Sequence, residues 1–210
     1  ALIMAVHKVS QQNLPFTVVG AGLPQILGSA GESKSYAERL FDYPRVGALG
    51  HQDARRALAQ PALDAGVEYA DDAIDYIIEV TKGYPYFLQQ WGYEVWNLAQ
   101  QSPIRLDDVQ QATTSAIAAL DDGFFRVRFD RCTPSEKRYM RALADLGEGP
   151  KRSGDIAERL GLKVTSIGPT RSKLIRKGMI YSPQHGETVF TVPLFDEYMR
   201  RAMPGDNWKH

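Results

Sequence analysis

Apolar side chains recur at helical spacing through the middle of the chain. Asp53 to Leu63 carries Ala54, Ala57 and Leu58, with Pro61 near its end, and Asp71 to Thr81 sets Ile74, Ile77 and Ile78 on one face. Gly83 stops that helix and Tyr84-Pro85 restarts the chain. A proline suits a first helical position because the N–H it lacks would have no partner there. The helix it opens lines up Phe87, Leu88, Trp91, Val95 and Leu98, and another runs from Asp107 toward Phe125. Four helices with short connections predict a compact bundle over residues 51–130.

The pattern after residue 130 has the clearest punctuation. Thr133-Pro134-Ser135-Glu136 places a cap, a first-turn proline and a third-position carboxylate in order, so a helix should begin at Pro134 and bury Tyr139, Leu143 and Leu146. Ser153 is the expected cap of a second helix containing Ile156, Ala157 and Leu160, with Gly161 as its stop. A third should run from about Ser166 to Lys177, turning Ile167, Leu174 and Ile175 inward. Pro169 is tolerable only near a helix start, which sets the beginning at Thr165 or Ser166. Two extended segments, Met179 to Ser182 and Thr188 to Val192, form a hairpin across Pro183-Gln-His-Gly186, and a closing helix spans Leu194 to Arg201. Three helices and a hairpin in this order predict a winged helix-turn-helix over residues 131–203, with a tail at 204–210.

The first 50 residues are less regular. Ala1 to Val9 has a helix pattern, and Leu14 to Val19 is a β-branched strand candidate ending in Gly20-Ala-Gly22. A second strand candidate, Arg45 to Leu49, is separated from it by a helical segment, Ser35 to Phe41. A helix feeding a single apolar strand cannot make a sheet by itself, and the two strands could be neighbours in one parallel sheet. Residues 1–50 therefore read as the end of a larger α/β core, or as a segment that packs irregularly without it. The fold class is mainly α, with an α/β remnant at one end and the winged unit at the other.

Composition narrows the class further. With 43% apolar residues and 25 basic against 25 acidic side chains in 210 residues, the chain can bury a sizeable core and is not disordered. No stretch approaches about 18 uninterrupted apolar residues and no export signal is visible, so no membrane partner and a cytoplasmic location are expected. A lone Cys132 excludes a disulfide scaffold. Net neutrality conceals a division: residues 1–130 hold 10 Lys and Arg against 16 Asp and Glu, whereas 131–210 hold 15 against 9. The C-terminal part is the one whose field attracts nucleic acid.

Candidate chemistry follows that charge. The third helix of the winged unit is the natural reader of a major groove, with Thr165, Ser166, Pro169, Thr170, Lys173 and Lys177 outward and Lys163 just before it. Hydroxyls there can bond bases or phosphates and lysines can neutralise the backbone. Lys151, Arg152, Arg171 and Arg176 enlarge the field, while the wing carries only His185. Double-stranded DNA is one expected partner; a winged unit used only for protein interaction or self-association is the other. The four histidines have no metal-ligand spacing, so no metal site is expected. The Asp71-Asp72 and Asp107-Asp108 pairs lie at helix starts, where negative charge is favoured for structural reasons. No GxxxxGK[ST] phosphate cradle is present.

Leu14-Pro-Phe-Thr-Val-Val-Gly-Ala-Gly-Leu-Pro24, Lys34-Ser-Tyr-Ala-Glu-Arg-Leu-Phe41 and Thr81-Lys-Gly-Tyr-Pro-Tyr-Phe-Leu-Gln89 resemble the later part of the AAA module in prokaryotic P-loop ATPases allied to the STAND and archaeal origin-recognition groups. Arg152 to Leu160 and Lys177 to Ser182 extend the likeness into a winged domain. The resemblance implies that Leu14–Val19 is the strand ending near the nucleotide's terminal phosphate. Gly20-Ala21-Gly22 departs from the family pattern there, leaving Thr17 or backbone groups as substitutes. It implies that Arg39 is an arginine finger, although an ion pair with Glu38 or Asp42 explains it equally. Gly83-Tyr84-Pro85 is similar to the STAND GxP motif, whose lid surface would face adenine, but no sensor arginine follows between Tyr84 and Gln90.

On this resemblance the chain is the C-terminal part of an ATPase, with residues 1–50 from its core, 51–130 its helical lid and 131–203 its winged domain. ATP and Mg belong to the full-length parent. The segment given is expected to hold neither tightly and to hydrolyse nothing alone. Nucleotide state would be coupled through the lid to a DNA or protein partner. The alternatives are a transcription regulator and an interaction scaffold, both without ATPase activity.

Overall fold

The computed structural model describes residues 2–22, 41–44 and 46–209. These are mainly helical, with one small three-stranded sheet. Ala1–Val46 and Gly47–His210 are separate units. In the first, α1 (Leu2–Gln11) forms as its pattern predicts and buries no residue. The strand expected at Leu14–Val19 does not form. A strand needs a neighbour to satisfy its N–H and C=O groups, and this segment has none among the described residues. Phe16 and Val19 remain 66% and 91% exposed. The second expected strand is absent at 46–49 as well, and Arg45, residues 35–40 and His210 lie outside the described residues.

The larger unit begins with four helices: α2 (His51–Asp64), α3 (Asp71–Thr81), α4 (Pro85–Leu98) and α5 (Leu106–Leu120). Each buries one face. Ile74 and Ile77 of α3 and Phe87, Leu88, Trp91 and Val95 of α4 are enclosed. Val109, Ala112, Ala116 and Leu120 face them from α5, and the small alanines let α5 lie close against α4. The buried indole of Trp91 donates to Thr113 Oγ1 at 3.2 Å, so its one polar atom is satisfied. Gly83, at φ +66, holds the corner between α3 and α4. A β-carbon there would lie 2.6 Å from the Leu49 carbonyl oxygen, so only glycine fits.

The single helix expected from Asp107 to Phe125 is interrupted. Asp121–Phe125 forms one π-helical turn, in which the Arg126 N–H reaches Asp121 O five residues back, before the short α6 (Arg126–Phe129). Such a turn aligns residues five apart. Leu120 and Phe125 are thereby both buried, at 1% exposure each.

The remaining elements are α7 (Pro134–Asp145), β1 (Lys151–Arg152), α8 (Ser153–Leu160), α9 (Val164–Arg176), β2 (Ile180–Tyr181), β3 (Glu187–Phe190) and α10 (Phe195–Ala202). The capping box read from sequence is formed: Glu136 accepts from Thr133 N at 2.7 Å and Thr133 Oγ1 accepts from Glu136 N at 3.4 Å. The sheet has order β1-β3-β2, all antiparallel, with Lys151 opposite Thr188 and Ile180 opposite Phe190. β1 was not legible as a strand. α7 lies against α8, α9 and α10, and is buried from Tyr139 through Ala144.

Two sequence expectations are corrected here. Ser153 is not a cap but the first residue of α8; its hydroxyl and its N–H both donate to Gly186 O at 2.9 Å, tying α8 to the hairpin. α9 starts at Val164, so Pro169 lies inside it and leaves the Thr165 carbonyl without its helical donor.

An aromatic chain joins the bundle to this C-terminal part. The Phe125 ring lies 5.6 Å from Phe87, 5.5 Å from Phe195 and 5.3 Å from Tyr198, and Phe195 continues to Phe190 at 5.5 Å. Arg201 adds two bonds to Asp121 at 2.7 and 2.8 Å. Beyond α10, Trp208 folds back to be buried, its ring 5.4 Å from the Arg141 guanidinium. Among the described residues no helix is long and apolar enough to cross a membrane.

Candidate nucleic-acid interface

α9 contains no aspartate or glutamate in its 13 residues. Ile167 and Leu174 are buried, which fixes the helix's rotation. Thr165, Pro169, Ser172 and Arg176 are all exposed and recur at alternating steps of four and three, forming one stripe opposite Leu174. Lys173 is exposed beside that stripe. Ser166 and Thr170, read as outward from sequence, are turned toward a shallow groove against α7, with Thr170 half-buried. Ser166 Oγ donates to Lys163 O at 2.6 Å, and Lys163 is exposed just before the helix. The sequence pattern alone does not mark Ser172, and it marks Arg176 only as part of a general field. The azimuth set by Ile167 and Leu174 is the signal that places both at the front.

Arg171 has a different task from the field assigned to it. Its Nε donates to Thr188 Oγ1 at 2.8 Å, and its guanidinium reaches Ser182 Oγ at 2.8 Å and Glu187 O at 2.7 Å. Thr188 is fully buried, with its hydroxyl 3.4 Å from that of Tyr139. Burial raises the Tyr139 phenol above its ordinary pKa. Together with Ser153 on Gly186, these bonds pin the hairpin to α9 and hold the turn that carries the exposed His185. Lys151 is half-buried on β1 and Arg152 exposed beside it.

Lys177, just beyond α9, is held from below. Its Nζ donates to Glu136 Oε2 at 2.6 Å and to Arg131 O at 2.8 Å. Glu136 is 1% exposed. Burial pushes its carboxyl up, but the bonds from Lys177 and from the Thr133 N–H outweigh that and hold it below the usual carboxylate range. The charge of Lys177 thus serves the α7–α9 crossing.

The residues expected near a nucleotide are placed separately. Thr17 is exposed in the first unit, and Arg39 lies outside the described residues. Gly83, Tyr84 and Pro85 share the α3–α4 corner, where Leu49 N donates to Gly83 O at 2.9 Å and the Tyr84 ring lies 4.7 Å from Phe87. Pro85 is the first residue of α4. The nearby cation, Lys82, pairs with Glu148 at 3.3 Å. The corner's groups are engaged in packing and in the Lys82–Glu148 pair.

Residues 122–199, from the π turn into α10, match the model of a family described as a domain of unknown function, DUF8462. No curated protein matches the chain. Among solved structures it is similar to an arginine-to-alanine variant of RuvB from Thermotoga maritima, with 16% identity and a TM-score of 0.49 over 98% of this chain. A lysine-to-arginine variant of the same protein gives 15% identity and a TM-score of 0.37 over 77%. This chain covers 65% and 51% of those two chains. Likeness at this level transfers no residue role.

Proposed function

We propose that residues 131–203 form a winged helix-turn-helix that binds duplex DNA, with α9 in the major groove and the β2–β3 hairpin beside it. The observation that carries this reading is the acid-free exposed stripe of α9, Thr165, Ser172 and Arg176 with Lys173 alongside, next to a hairpin braced in place. A major groove about 12 Å wide admits one helix. Thr165 and Ser172 supply hydroxyls that serve bases or phosphates, Arg176 a fork matched to guanine, and Lys173 and Lys163 charge for the backbone. Ser166 and Thr170 flank the contact, and His185 extends it at the wing. Lys177 contributes by fixing α9 on α7.

The test is the salt dependence of affinity for a mixed-sequence duplex, measured by anisotropy. The Lys173→Gln/Arg176→Gln chain should lose about one unit of the log–log slope, from the Lys173 backbone contact, and bind more weakly still for want of the Arg176 base contact, relative to the unsubstituted chain. Equal slopes for the two chains would refute the reading.

The wider reading rests on the motif likeness of residues 14–24, 34–41 and 81–89. In it, residues 1–50 close an AAA-type core, 51–130 act as its lid, and the lid's packing on the winged unit changes with the parent's nucleotide state. Support comes from the shared aromatic contact of Phe87, Phe125 and Phe195, which makes lid and winged unit mechanically continuous. Identical lid-to-wing geometry in the full-length parent with ATP, ADP and no nucleotide would remove it.

A further inference from the structure

One surface feature is left unexplained by the stripe of α9. A groove of about 210 Å³ lies where α7 crosses the α8–α9 corner, lined by Ser135, Arg138, Leu160, Leu162, Ser166 and Thr170 among others. Arg138 is half-buried there. Arginines 55, 141, 159, 200 and 201 each meet an aspartate. Arg138 meets no carboxylate among the described residues, and the Thr170 hydroxyl likewise has no hydrogen-bond partner there. A fixed charge partly withdrawn from water and given no counterion is arranged for an anion.

We infer that this groove seats a single phosphate group of the duplex backbone, with Arg138 as its cation and Thr170 as a hydroxyl donor. Size decides against a larger occupant, because pockets for drug-sized ligands start at about 300 Å³. Ser166 makes no bond to the phosphate, since its proton is committed to Lys163 O and a backbone phosphate has none to give. Position decides the source. Lys173 separates the groove from the exposed stripe on the same helix, and the phosphates bordering a major groove run along the flanks of any helix seated in it. Guanidinium forks match phosphate oxygens two at a time, which lysine does not reproduce. The inference rests on the duplex reading above for its source of phosphate, but the seat itself does not.

The experiment has two arms on the full chain. In the first, inorganic phosphate is titrated while the Arg138 Nε–H and Thr170 amide signals are followed by NMR, with Arg138→Gln as control. Saturable shifts lost in that variant are expected. In the second, duplex affinity is measured against salt for Arg138→Gln and Arg138→Lys. Removing one phosphate contact should reduce the slope by about 0.9 and weaken binding roughly eightfold at 0.1 M salt, for every sequence alike, with Lys restoring most of the slope. Unchanged phosphate signals together with unchanged slopes, in a chain that does bind duplex, would overturn the seat and leave the stripe of α9 standing. Phosphate shifts in a chain that binds no duplex would keep the seat and overturn DNA as its source. No phosphate shift in a chain that also binds no duplex would overturn both proposals.

Discussion

At the scale of single residues, the structure separates effects that look alike in sequence. Gly83 and Gly161 both have positive φ, +66 and +67, and both were legible as helix stops. Only Gly83 also approaches a backbone carbonyl. Gly161→Ala should therefore cost about 1 kcal/mol for the left-handed backbone alone, whereas Gly83→Ala should cost about 2 kcal/mol or more because Leu49 must move. Urea unfolding of the two variants checks the difference. Glu136 was legible as a cap partner, since its position three after Thr133 is a local signal. Its bond to Lys177 was not, because the two are 41 residues apart. A carboxyl whose folded pKa is depressed adds stability above its unfolded value near about 4.3, and that stability is lost as pH falls through the folded value. Glu136→Gln should lower the urea midpoint at pH 7 and narrow the loss seen between about pH 5 and pH 3. An equal acid-induced loss in both proteins would contradict the assignment.

Elements were legible in proportion to how local their determinants are. α3, α4, α7 and α8 came from periodicity, prolines and glycines within one or two turns. β1 is two charged residues long and exists only because β3 lies beside it, so no alternation marks it. The opposite failure occurred at Leu14–Val19, where composition favours a strand and no neighbour is present to receive it. α9 starts one or two residues before the Thr165 or Ser166 that a first-turn Pro169 predicts, because the helix accommodates the proline in its interior. For the proposed interface, the face of α9 could be read only after burial fixed its rotation, which brought Ser172 and Arg176 forward. Arg171 has the strongest single hold on the hairpin. Arg171→Met should leave the α7–α8 packing intact but take one donor from the Thr188 hydroxyl, which keeps Tyr139, and one from the Glu187 carbonyl, which keeps Ser182 Oγ, costing about 1–2 kcal/mol. Hydrogen exchange at residues 182–187 should accelerate well beyond that of α3 or α4. Uniform acceleration across Gly47–His210 would show that Arg171 is not a local brace.

For the molecule as a whole, the informative feature is the joint at the π turn. Nothing in the periodicity of residues 106–129 announces it. An extra residue in one turn brings Phe125 onto both cores at once, against Phe87 on one side and Phe195 and Tyr198 on the other. Residues 47–208 should therefore unfold in one transition. Phe125→Ala should cost about 3–5 kcal/mol and separate the bundle from the C-terminal part into two transitions by circular dichroism and fluorescence. A single coincident transition in that variant would place the coupling elsewhere. The charge division along the sequence is sharpest at α9, which carries Arg171, Lys173 and Arg176 and no acidic residue. The central claim is that α9 and the hairpin form the duplex-binding face. Its most direct test is an amide NMR map of the chain titrated with a mixed-sequence duplex. The account predicts shifts concentrated at residues 163–176 and 182–187, with α2 and α4 unmoved. Shifts centred instead on the exposed Tyr93 and Trp96 of α4, or no saturable shift anywhere, would contradict it.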